Sequence, residues 1–88
     1  MRVEVVFALP DRQVLELLDV EEGATVAQAI RESGIERRFP EVDMSALEVG
    51  IWGRPADRSH VLREGDRVEI YRRLEIDPRE ARRLKAGF

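Results

Sequence analysis

TVAQAIRESG, residues 25–34, decides the fold. The Thr25 hydroxyl can cap a first helical turn, and Gln28, three residues on, can reach back to the Thr25 amide, so the two make a capping box. Val26, Ala29 and Ile30 fall at i, i+3 and i+4 and form one apolar stripe, with Gln28, Arg31 and Glu32 on the solvent side. Gly34 supplies the left-handed residue that ends a helix at little cost. A helix of about ten residues is marginal alone in water, so its stripe must lie on another element. The other regular stretches before residue 76 read as strands, and that element is therefore a sheet.

Working outward, Val3 to Leu9 is a strand in which the Val3, Val5, Phe7 phase is the better candidate for the buried face. Pro10-Asp11-Arg12 is a turn, because proline fixes φ and aspartate bonds its own backbone. Gln13 to Val20 returns as a second strand of ambiguous phase. Leu18 and Val20 read as inward, with a bulge expected near Leu15–Glu16 that turns Leu15 in. Glu21-Glu22-Gly23 connects to the helix, its carboxylates near the favourable N-terminal end.

Beyond Gly34, Ile35 is expected to pack under the helix. A loop follows through Arg37-Arg38-Phe39-Pro40, with a short turn around Ser45–Leu47. Glu48 to Trp52 reads as a third strand with Val49 and Ile51 on one face and Gly50 and Trp52 on the other; Gly53-Arg54-Pro55 breaks it. Val61-Leu62 is a very short strand or its stub. Glu64-Gly65-Asp66 is a turn, and Arg67 to Arg72 a last strand with Val68 and Ile70 on one face and Glu69 and Tyr71 on the other. Asp77-Pro78-Arg79-Glu80 starts a second helix: aspartate caps it, proline takes the first helical position, and Arg82, Arg83 and Lys85 suit its C-terminal end. Its apolar residues are few, Ala81 and Leu84 chiefly, so it is either frayed or ordered by docking through Leu84 and Phe88.

The order strand, strand, helix, strand, short strand, strand implies an α+β domain in which a mixed sheet curls over one helix. The last strand then lies parallel to the first, and one sheet face is left open. This is the β-grasp arrangement. Residues 1–76 are expected to form that domain and residues 77–88 a basic helical tail.

The runs ALPDRQ (8–13), EEGATVAQAIRESGI (21–35), EVGIWGRP (48–55) and LREGDRVEIYRRLEIDPREARR (62–83) resemble the RnfH family of small ubiquitin-like proteins. The match extends from about Val3 to Arg83 in order and spacing. GDRVEIY alone is common to many ubiquitin-like and sulfur-carrier domains; its combination with DPREARR is far more specific. The resemblance implies a β-grasp fold, bacterial origin and no known catalysis. It also implies genes set beside an Rnf-type electron-transport complex or beside a START-like partner in a toxin–antitoxin pair. Arg73 departs from the pattern, where a proline is expected after the Tyr-Arg pair.

Totals narrow the chemistry. Eighty-eight residues make one small domain, with roughly 60–65% of the chain's surface open to burial. There is no cysteine, which removes disulfides, zinc-thiolate sites and thiol catalysis and fits a reducing, cytoplasmic setting. Glu4 interrupts the apolar start, and no stretch approaches the roughly 18 apolar residues of a membrane span, so neither a signal peptide nor membrane insertion is expected. Residues 1–62 carry 7 basic and 12 acidic side chains, net −5, and residues 63–88 carry 8 and 6, net +2. Nucleic-acid binding asks for a stronger basic patch and is not expected.

His60 is the only histidine, and beside Ser59 it has no acid placed to orient its ring, so a solvent-exposed loop position is expected. Glu21-Glu22 and Glu41/Asp43 lack calcium-loop spacing. Gly50 and Gly53 lack the lysine and helix start of a phosphate loop. No catalytic residue, metal or cofactor is therefore assigned, and no enzyme is expected. A sulfur carrier or conjugation-type protein, the competing class, threads a C-terminal Gly-Gly through an activating enzyme. This sequence reads Ala86-Gly87-Phe88 there, and that class is disfavoured.

Two surfaces remain as candidate partner-binding sites for a protein partner, in a chain expected to be a monomer. One is Trp52 with Tyr71, an aromatic pair of the kind interfaces favour, unless Trp52 folds over the sheet edge or the tail covers it. The other is the arginine set Arg72, Arg73, Arg79, Arg82 and Arg83, unless these pair locally with Glu69, Glu75, Asp77 and Glu80.

Overall fold

Alternation in the first strand is realised in β1 (Arg2–Ala8), where Val3, Val5 and Phe7 are buried in one core cluster. The computed structural model describes residues 1–9 and 11–71. β1 forms an antiparallel hairpin with β2 (Gln13–Asp19), and their register runs one-to-one from Arg2 against Asp19 to Ala8 against Gln13. β3 (Glu48–Ile51), β4 (Arg54–Pro55) and β5 (Arg67–Tyr71) complete a five-stranded sheet in the order β2-β1-β5-β3-β4. β5 lies parallel to β1 and antiparallel to β3, as the crossover over the helix requires. The fold is the ubiquitin-like β-grasp.

α1 (Val26–Ser33) buries Val26, Ala29 and Ile30 against the sheet. The Thr25 hydroxyl accepts the Gln28 amide at 3.2 Å, and Gly34 closes the helix at φ 75°. Gln28 does not bond back to the Thr25 amide among the described residues. The first-turn donors instead find backbone partners: the Val26 amide donates to the His60 carbonyl at 3.0 Å and the Ala27 amide to the Arg58 carbonyl at 2.9 Å. Where a loop is expected after Gly34, a short second helix forms, α2 (Ile35–Arg38). The Gly34 carbonyl accepts both the Arg37 and Arg38 amides, and Ile35 is fully buried beneath α1. Phe39 then meets Phe7 edge to face at 5.2 Å. A 3-10 turn at Met44–Ala46 is capped by Asp43 and held by Arg58, which donates to the Met44 and Leu47 carbonyls.

Three expectations are corrected. The continuous β1–β2 register leaves no room for a bulge at Leu15–Glu16; Val14 turns in with Val20, and Leu15 is 46% exposed. A strict period of two puts Glu16 on the helix side, where Arg38 of α2 reaches its carboxylate at 2.5 Å, so a charge is tolerated at that edge. The third strand does break at Gly53, but Arg54–Pro55 pairs back onto it as β4. Trp52 and Gly53 turn the chain with φ 48° and 79°, the two positive angles of a mirror-image hairpin turn, and Pro55 sits in an edge strand. Val61 makes one isolated bridge to Thr25 and belongs to no strand.

Candidate functional site

The sheet face away from α1 is open in the described residues. The strand registers fix its rows: Leu17, Glu4 and Arg67 lie side by side, and the next row is Leu15, Val6, Glu69 and Gly50. Val6 is buried although it faces away from the helix, flanked by Leu15 and Glu69. Tyr71 is half-buried opposite Glu48 on the same face. Its ring lies over Gly50, where a Cβ would come within 3.5 Å of the ring and 2.6 Å of the Arg54 carbonyl oxygen. Tyr71, Val6, Ala8, Gln13, Pro55 and Glu69 line a cavity of about 310 Å³.

Trp52 is not a strand residue but the first residue of the β3–β4 turn, and 56% of it is exposed. Its side chain is held at the sheet corner, not free. The indole Nε1 donates to the Gly65 carbonyl at 3.2 Å, and the Arg67 guanidinium carbon lies 5.5 Å from the ring centroid. Arg67 in turn faces Glu4, its Nε 3.8 Å from the Glu4 carboxylate. The next residue, Gly53, donates its amide to the Glu69 carboxylate at 2.7 Å. The turn, β5 and β1 are thus tied together by Arg67 and Glu69.

Trp52 and Tyr71 therefore share a side of the sheet but not one patch. Trp52 stacks on Arg67, four residues before Tyr71 on β5, which is about 13 Å along a strand. Arg72, Arg73, Arg79, Arg82 and Arg83 lie outside the described residues, as do the tail helix and the expected boundary at residue 76. Sequence reasoning missed Arg67 as the support of the indole and Leu17, 58% exposed, as part of the open face. The alternation of Leu15 and Leu17 carried that signal, and the expected bulge obscured it.

His60 is exposed in its loop; its carbonyl accepts the Val26 amide and its own amide donates to the Asp57 carbonyl, both at 3.0 Å. Among the described residues, no three His, Cys, Asp or Glu side chains converge as metal ligands, and no helix is long and apolar enough to cross a membrane. What the open face offers is an aromatic corner, apolar rows and charges tied by local pairs.

A family model described as RnfH family ubiquitin matches residues 1–85. The chain belongs to the RnfH family. It is 54% identical over 86 residues to protein RnfH of Sodalis glossinidius, covering 98% of this chain and 92% of that protein. To protein RnfH of Haemophilus influenzae it is 48% identical over 87 residues, covering 99% and 85%. A Haemophilus influenzae protein 47% identical, with 88% of this chain and 96% of that one covered and a TM-score of 0.52, crystallised as a three-dimensional domain-swapped dimer. That assembly belongs to the relative, and it stands beside the monomer expected of this RnfH-family chain.

More distant structures share the fold alone. Small archaeal modifier protein 1 of Haloferax volcanii is 19% identical with a TM-score of 0.62, covering 83% of this chain and 98% of its own. A chain of the complex of subunits 1 and 2 of the molybdopterin-converting factor of Helicobacter pylori is 14% identical with a TM-score of 0.66, covering 88% and 100%.

Proposed function

We propose that this RnfH-family chain is a non-catalytic, ubiquitin-like interaction module that docks a partner protein through its open sheet face. The observation that carries the reading is the Trp52 corner. A tryptophan more than half exposed is held in place by an indole hydrogen bond and an arginine stack. A side chain already ordered loses little further freedom on binding, and tryptophan and arginine are the residues on which interface energy concentrates. Tyr71 extends the surface along β5, and Arg72, Arg73, Arg79, Arg82 and Arg83 add a basic run by sequence. The family resemblance links the chain by gene neighbourhood to an Rnf-type electron-transport complex or to a START-like protein of a toxin–antitoxin pair.

Trp52→Ala is expected to reduce recovery of the native partner several-fold in a pull-down from the source cells. The melting temperature should shift by only a few degrees, since the side chain contributes one exposed hydrogen bond and one stack. A large fall in melting temperature would instead assign Trp52 to the fold. Intact-mass analysis of the native protein tests the carrier class: a thiocarboxylate mass shift would favour it.

A further inference from the structure

Among the described residues β2 and β4 are the two edges of the sheet, and they are built differently. β4 is two residues long and carries Pro55. β2 runs seven residues, QVLELLD, with no proline, lysine or bulge to keep the edge from pairing; the one protecting device it carries, the inward charge of Glu16, is neutralised by Arg38. The ladder with β1 shows which of its backbone groups have no partner among the described residues. The Met1 amine donates to the Val20 carbonyl at 2.7 Å and the Val20 amide to the Met1 carbonyl at 2.8 Å. Doubly bonded pairs alternate with unbonded ones in an antiparallel ladder, so Val14, Glu16 and Leu18 turn their backbone groups toward β1. The amides and carbonyls of Gln13, Leu15, Leu17 and Asp19 point outward from the sheet.

We infer that this edge pairs with the same edge of a second copy of the chain, antiparallel about a two-fold axis at Glu16, fusing the two sheets into one. At that register Leu15 faces Leu17 of the second copy, Val14 faces its Leu18 and Gln13 its Asp19. Leu15 and Leu17, 46% and 58% exposed, cover one another across the axis. The bonded pairs are those at 15 with 17 and at 13 with 19, the residues whose backbone groups already point outward. Glu16 meets its own copy, and like charges opposite one another destabilise a strand pair. Here each carboxylate is held by Arg38 at 2.5 Å, so two ion pairs meet, not two bare charges. An axis at Leu15 would set Glu16 against Val14 and Leu17 against Gln13. An axis at Leu17 would set Glu16 against Leu18 and Leu15 against Asp19. The axis at Glu16 matches apolar with apolar on both faces, and this self-complementarity selects a second copy over an unrelated strand.

The chain has no cysteine, so a single introduced thiol reports the register. Facing residues on the axis lie about 4.5 Å apart at Cα, within disulfide reach. Leu15→Cys, Glu16→Cys and Leu17→Cys are compared in the full chain under mild oxidation. Glu16→Cys is expected to cross-link several-fold faster than either neighbour although it is the least exposed position. Equal rates, or faster linking at 15 or 17, would overturn the pairing. Sedimentation equilibrium of the unmodified chain is expected to rise from the mass of one 10.1 kDa chain toward that of two with concentration. Gln13→Lys, opposite Asp19 twice per dimer, should lower the midpoint roughly threefold or more, and Gln13→Asp should raise it by a similar factor. A single-chain mass up to millimolar concentration would overturn the proposal.

Discussion

Trp52 holds a φ of 48°, an angle that L side chains other than asparagine and aspartate rarely adopt. In a two-residue mirror-image turn the favoured pair is Asn-Gly, and here the pair is Trp52-Gly53. Backbone strain kept at an exposed aromatic is a pattern of functional positions. Trp52→Asn should therefore leave the melting temperature unchanged or raise it, while partner retention falls as for Trp52→Ala. Differential scanning calorimetry beside the pull-down checks both halves. Gly50 is demanded by space, not by φ: a Cβ would sit 2.6 Å from the Arg54 carbonyl oxygen. Gly50→Ala should push β4 off β3 at a cost of about 1–3 kcal/mol, read by urea denaturation. Neither requirement was legible in EVGIWGRP, because tryptophan is not a turn residue by propensity and the close approach of Arg54 is a tertiary fact.

At the scale of elements, α1 was legible almost residue for residue. Its stripe, its Thr25 cap and its Gly34 stop are all local signals, written within one stretch of chain. Ile30→Ala should cost about 2–5 kcal/mol, since Ile30 is buried between α1 and the sheet. Thr25→Ala should cost about 1 kcal/mol for the lost cap, and helix ellipticity against urea separates the two. β2 was read less well because its apolar residues fall on both faces. The choice between Val14 and Leu15 was made by the ladder with β1, and Glu16 is tolerated inward only because α2, itself read as a loop, brings Arg38 to it. β4 and the Thr25–Val61 bridge depend on long-range pairing, which leaves little trace in two residues.

At the scale of the molecule, the parallel pairing of β1 with β5 turns a helix and a hairpin into a β-grasp, and element order alone implied it. Which face stays open follows from that topology. What binds there does not, because the proposed recognition corner depends on Trp52 of the β3–β4 turn meeting Arg67 and Glu69 of β5, residues far apart in sequence. Trp52 is the only tryptophan in the chain, so fluorotryptophan labelling gives one fluorine resonance at the position in question. Addition of the partner recovered by pull-down should shift or broaden that resonance in proportion to complex formed. An unchanged resonance, with the complex confirmed by co-elution, would show that the partner binds elsewhere and would contradict the account.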